Sequence, residues 1–150
     1  MAIARGAGTE IIRTIYLEDV STTAKPLIYG VQHHIYTVLS VIVFADTLAS
    51  AGNRIHMYLT GYDSNAGTTA QDNRIFLNDM NADQTFVWND KFSFNGHEPT
   101  DFTGPVDDAT KQNAIADQGS SVAQQLMIKG ANSASDRFDV TCTYIDQNNA

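Results

Sequence analysis

The sequence predicts an all-β chain, an antiparallel β-sandwich or jelly roll with an extended N-terminal arm. Three observations carry this reading. Apolar and polar residues alternate with a period of two over 54–62 and 137–145. Short strand-like runs are punctuated by the turn sequences SAGN, DSNAG and NDMNAD. No stretch sustains helical periodicity, and regularly spaced short strands point to a sandwich, jelly roll or barrel.

Residues 1–20 read as the arm, because Ala and Gly dominate MAIARGAGTE and give it little to bury. Within the arm, 11–17 carries a weak strand signal. Weak strands are also expected at 27–31, 74–77, 85–88, 91–94 and 122–128. Between Ile35 and Ala45 the run IYTVLSVIVFA is apolar and β-branched on both faces, which fits a central strand covered on each side. A buried helix competes there, but the Val, Ile, Thr and Tyr content favours a strand. In 54–62, Ile55, Met57 and Leu59 alternate with Arg54, His56, Tyr58 and Thr60. In 137–145, Phe138, Val140, Cys142 and Tyr144 point one way, and Arg137, Asp139, Thr141 and Thr143 the other. Residues 21–150 are then one β-sandwich domain with a long loop at 95–121, which holds Pro99 and Pro105 and few large apolar residues. A short helix around 108–116 is the regular structure expected in that loop.

Composition narrows the function classes. The chain has 150 residues, 43% of them hydrophobic and only 17% charged, so its polar surface is built largely from Thr, Ser, Asn, Gln and Gly. That length supports one core without staples. A net charge of -8 repels polyanions and no basic tract offsets it, so direct nucleic-acid binding is not expected. No leader-like apolar region or membrane-length apolar window is present, and no membrane partner is expected. The single cysteine, Cys142, lies in an alternating strand and reads as a buried, inert thiol.

Catalytic and metal chemistry find no strong pattern, and neither a catalytic residue, a metal nor a cofactor is expected. His33, His34, His56 and His97 lack helical i, i+4 spacing or a Cys partner. Asp79, Asn81, Asp83 and Asp90 match a calcium-loop template in part, but Gln84 stands where the sharp turn needs Gly, so a polar turn is the plainer reading. Gly6 and Gly8 form a lone G-x-G with no phosphate-loop context. No nucleophile elbow or local Cys-His signature occurs, and Glu18, Asp19, Asp107 and Asp108 read as solvated. Tyr58 and Tyr62, on one strand face, could pack in a sheet layer, line a subunit interface or stack on a sugar.

The order of elements is more informative. The arm leads into IYTVLSVIVFADTLASAGNRIHMYLTGYD, then TFVWNDKFSF, then a closing VAQQLMIKGANSASDRFDVTCTYID. Over 25–146 this pattern resembles the small virion proteins of tailed bacteriophages, in particular the capsid decoration or cement proteins with a jelly-roll-like body. The stretch LMIKGANSASDRFDVTCTYI is similar to the region where such proteins place a polar turn, here 130–136, between the last two strands. The 95–121 insertion is longer than that family leads one to expect. The resemblance implies a non-enzymatic homotrimer on the capsid exterior, clamping neighbouring subunits of the major capsid protein. Its partner-binding residues would be the apolar anchors Ile11, Ile12, Ile15, Tyr16 and Leu17, with Tyr58 and Tyr62. Rival expectations are a carbohydrate-binding or host-recognition module of a fibre, a small β-sandwich hydrolase, and another β-rich neck or tail component.

Overall fold

The alternation of each strand decides which side meets the core, and the pairing then arranges the strands into two packed sheets. The computed structural model describes residues 8–63, 65–100 and 105–149. In chain order the elements are β1 (Glu10–Val20), β2 (Lys25–Tyr29), β3 (His34–Thr47), β4 (Asn53–Asp63), β5 (Thr68–Met80), β6 (Thr85–Trp88), β7 (Phe92–Asn95), β8 (His97–Pro99), helix α1 (Ala109–Asp117), β9 (Ser121–Ala123), β10 (Gln125–Gly130) and β11 (Arg137–Asn148). Sheet A runs β1-β11-β3-β6, with β7 pairing a second stretch of β3; sheet B runs β2-β10-β4-β5. The pairings of these two sheets are antiparallel. The chain passes from one sheet to the other at almost every turn, and that order of strands is a jelly roll.

The core lies between the sheets. Phe138, Val140 and Cys142 of β11 and Val38, Val41 and Val43 of β3 face Ile55 and Met57 of β4 and Leu126 and Ile128 of β10, all of them fully buried. Truncating one of the largest, as in Phe138→Ala, should cost roughly 3–5 kcal/mol through lost transfer energy and the cavity left behind. Cys142 is sealed in this layer, and burial pushes its thiol pKa up to about 12.

Several expectations are corrected. Residues 10–20 are not an arm: they form β1, in register with β11 from Glu10↔Gln147 to Leu17↔Val140, so the body of the sandwich begins at Glu10. Expectations about residues 1–7 lie outside the described residues. β3 is central but not covered on both sides. Its partner β11 skips Leu39, pairing Thr143 with Ser40 and Tyr144 with Val38. The bulge reverses the alternation, so Tyr36 and Val38 point inward before it and Val41, Val43 and Ala45 after it. The run therefore reads as apolar on both faces although Ile35 and Ile42 stay exposed.

In the expected loop at 95–121 the short helix is present as α1, and the segment carries further strands. β8 pairs β9, and α1 lies between them with Asp108 as its N-cap, accepting from the Lys111 N–H at 2.8 Å. The single strand expected at 122–128 is broken at Gln124, whose backbone bonds both Gly30 and Gly96. At both glycines the neighbouring backbone leaves no space for a Cβ, so this junction of β2, β7 and β10 requires Gly.

A buried carboxylate ties the other end together. Asp136 is fully buried and accepts from Asn53 Nδ2 on both oxygens at 3.0 Å, from the Ala49 N–H at 2.8 Å and from the Ser133 N–H at 3.3 Å. It thereby locks the β3–β4 turn to the β10–β11 turn.

Candidate functional site

Pairing across sheet A builds a continuous outer surface from single residues of distant segments. One row runs Tyr16↔Thr141↔Ile42↔Val87 across β1, β11, β3 and β6. A second runs Ile12↔Ile145↔Thr37↔Ser93, and between them lies Thr14↔Thr143↔Ser40. None of these eleven residues is charged. Ile12 is 72% exposed, Tyr16 57%, Val87 51% and Ile42 39%. The hydroxyls between them bond to one another, Thr14 to Thr143 at 3.2 Å and Thr37 to Ser93 at 2.9 Å. Charges return only at the margins, with Glu10 at one end and Asp46, Arg137 and Asp139 at the other.

This band ends on β1, which pairs β11 on one side and no other described strand. Its other edge presents the N–H and C=O groups of an 11-residue strand, a template for further pairing. Of the sequence-predicted anchors, Ile12 and Tyr16 belong to the exposed band. Ile11 is 42% exposed on the opposite side of β1, while Ile15 and Leu17 are half-buried and pack against the core.

Tyr58 and Tyr62 lie elsewhere, on β4 of sheet B. Tyr58 is only 5% exposed, its ring 4.7 Å from that of His56 and with Lys129 Nζ 5.5 Å above it. Tyr62 is half-buried and its hydroxyl donates to the Thr100 carbonyl at 3.4 Å. The structure therefore does not bring these tyrosines together with the β1 anchors.

Among the described residues, hollows flank both sheets, and two of them gather titratable side chains. One, of about 400 Å³, opens between β2 and sheet A and is lined by Arg13, His34, Tyr36 and Asp146 among others. Asp146 is buried there, held by His34 Nδ1 at 2.7 Å and by Arg13 Nη1 at 3.6 Å. Burial and then the Asp146 charge push the Tyr36 phenol up to about 12. The arrangement joins β1, β3 and β11 through Asp146. The other hollow, of about 490 Å³, lies on the outer face of sheet B and is lined by Arg54, His56, Arg74 and Lys129. Sequence reading missed this cluster. Its signal was present in the alternation of Arg54 and His56, but Arg74 and Lys129 join them only through strand pairing.

The remaining candidates are structural. Residues 81–84 form the β5–β6 turn, in which the Asn81 N–H donates to Gln84 Oε1 at 2.8 Å and Asp83 adopts φ 65°. Among the described residues no three His, Cys, Asp or Glu side chains gather as a metal site. Among the same residues no helix is long and apolar enough to cross a membrane.

No family model matches the chain, and no curated protein matches its sequence. Solved structures resemble its fold weakly. A chain from the structure described as "Bacillus endospore appendages form a novel family of disulfide-linked pili" is 14% identical, aligned over 100% of this chain and 97% of its own length with a TM-score of 0.42. A chain of the T13 particle of infectious bursal disease virus is 9% identical over 98% of this chain and 33% of its own, with a TM-score of 0.48. That of the Gx strain of the same virus is 11% identical over 99% and 34%, with a TM-score of 0.43. This chain thus spans about a third of the viral chains. The neighbours are appendage and virion proteins.

Proposed function

We propose that this protein is a non-catalytic structural subunit that associates with copies of itself and seats on a larger protein shell through the outer face of sheet A. The observation that carries the reading is the uncharged band of Ile12, Tyr16, Ile42 and Val87, continuous with the unpaired edge of β1. Water-exposed apolar surface of this kind favours burial against a partner, and an open strand edge adds backbone hydrogen bonds to the contact.

The specific setting proposed is the exterior of a tailed-phage capsid, with a homotrimer bridging neighbouring major capsid subunits. Several weak contacts made at once by a symmetric assembly would hold it on the shell.

Light scattering coupled to size exclusion tests the first half of the proposal. The intact chain is expected to run as a trimer, and the double variant Ile12→Lys/Tyr16→Lys as a monomer with an unchanged melting temperature. A monomeric parent chain at every concentration tested would overturn self-association. Sedimentation with undecorated phage capsids tests the second half: saturable retention is expected, and chain left wholly in the supernatant would count against a capsid partner.

A further inference from the structure

On the outer face of sheet B, where β4, β5 and β10 meet, three of the nine Lys and Arg residues of a chain with net charge -8 line one hollow. Strand pairing places them together: Lys129 opposite His56, and Arg74 opposite Tyr58. We infer that this hollow is a binding site for a phosphate- or sulfate-type oxyanion.

The partners of the three cations are the first reason. Arg74 donates from Nε to His56 Nε2 at 3.2 Å, so its nearest partner is a neutral ring. Accepting at Nε2 requires the His56 proton to sit on Nδ1. Lys129 rests its ammonium over the Tyr58 ring at 5.5 Å, a cation–π contact and not an ion pair. Arg54 has a carboxylate, Asp79, but it is 3.9 Å away on a side chain 75% exposed, which makes a weak pair. Asp72 stands nearby, where it accepts from Thr60 Oγ1 at 3.0 Å. Neither Asp72 nor Asp79 lines the hollow. Two of the three like charges are therefore oriented by neutral groups and the third by a weak pair, and their mutual repulsion is relieved when an anion enters.

Shape supplies the second reason. Arg74 stands on β5 with its Nε held by His56, Arg54 on β4 and Lys129 on β10, and the three line the same hollow. A tetrahedral oxyanion offers acceptors in several directions and can bond three such donors, whereas a carboxylate is matched by a single Arg fork. The volume of about 490 Å³ also leaves room for an organic group that carries the oxyanion. This surface is separate from the sheet A band, so its test is independent of the assembly proposal.

Titration calorimetry of the intact chain at low ionic strength, with inorganic phosphate and with glycerol phosphate as probes, decides the matter. Saturable binding is expected, weakened roughly tenfold or more by Arg74→Gln and by Lys129→Gln. Lys111→Gln on α1 should leave it unchanged. Phosphate should also raise the melting temperature of the parent chain and not that of Arg74→Gln, since only the folded state binds. Tighter binding of the ester would identify a group carried on a larger molecule, and equal binding the free ion. Absence of saturable binding to either probe, or equal loss in Lys111→Gln, would overturn the site. Arg74→Lys, which keeps the charge and loses the fork, serves as the folded control and should bind with intermediate affinity.

Discussion

The two outer faces of this sandwich are built by the same rule and carry opposite chemistry. Across the middle of sheet A, three successive outward-facing rows hold Ile, Val, Tyr, Thr and Ser and contain no charge. On sheet B the equivalent positions hold Arg54, His56, Arg74 and Lys129 around a hollow. A jelly roll needs only its inner faces to be apolar, so selection acts freely on the outer ones. Under the two proposals, sheet A meets a protein partner and sheet B an anion.

Outside the apolar core, the largest expected effect falls on the frame that both faces share. Asp136→Ala removes the carboxylate that joins two turns and leaves Asn53 and two backbone N–H groups unsatisfied. A loss of about 2–3 kcal/mol is expected in urea unfolding, because each orphaned buried donor carries its desolvation penalty. A loss below about 0.5 kcal/mol, the range of ordinary surface changes, would show that the turns hold without it.

The next effect separates the faces. Ile12→Lys/Tyr16→Lys should abolish self-association while stability stays within about 0.5 kcal/mol, since both side chains are exposed. Phosphate binding by this variant should match that of the parent. Conversely, Arg74→Gln with Lys129→Gln should abolish phosphate binding and leave the light-scattering mass unchanged. Cross-talk in either experiment would break the comparison.

The smallest effect is a pH dependence. His56 is held below its ordinary pKa of 6.5, first by burial and then by the Arg74 and Lys129 charges, with Asp72 opposing. His97 is lowered too, by burial and then by His33. A base whose folded pKa is depressed is protonated first in the unfolded chain, so stability is full above about 6.5 and declines as pH falls toward the folded values. Thermal melts between neutral and mildly acidic pH should show this decline, and His56→Gln should flatten it in part. A slope of the opposite sign would contradict the burial of both rings.

Much of the fold was legible because the period of two is a local property. The inward set of β11, Phe138 to Tyr144, and the inward Ile55 and Met57 of β4 follow directly from alternation. β1 was legible as a weak strand at 11–17 and misplaced in an arm, because an edge strand buries one side and makes a weak apolar signal. The bulge at Leu39 was hidden for a different reason: a register slip depends on the partner strand, and β11 lies about a hundred residues further along. Of the candidate site, Ile12 and Tyr16 were named from sequence, whereas Ile42 and Val87 joined them only across strands.

The β class, most of the inward residues and the polar turns follow from local sequence, since each of these rests on neighbours within a few positions. Tertiary structure alone decided which strands lie side by side, and therefore that Tyr16, Ile42 and Val87 form one uncharged row and Arg54, Arg74 and Lys129 one cationic hollow. The physical reason is that a strand satisfies its backbone hydrogen bonds with a partner outside its own segment.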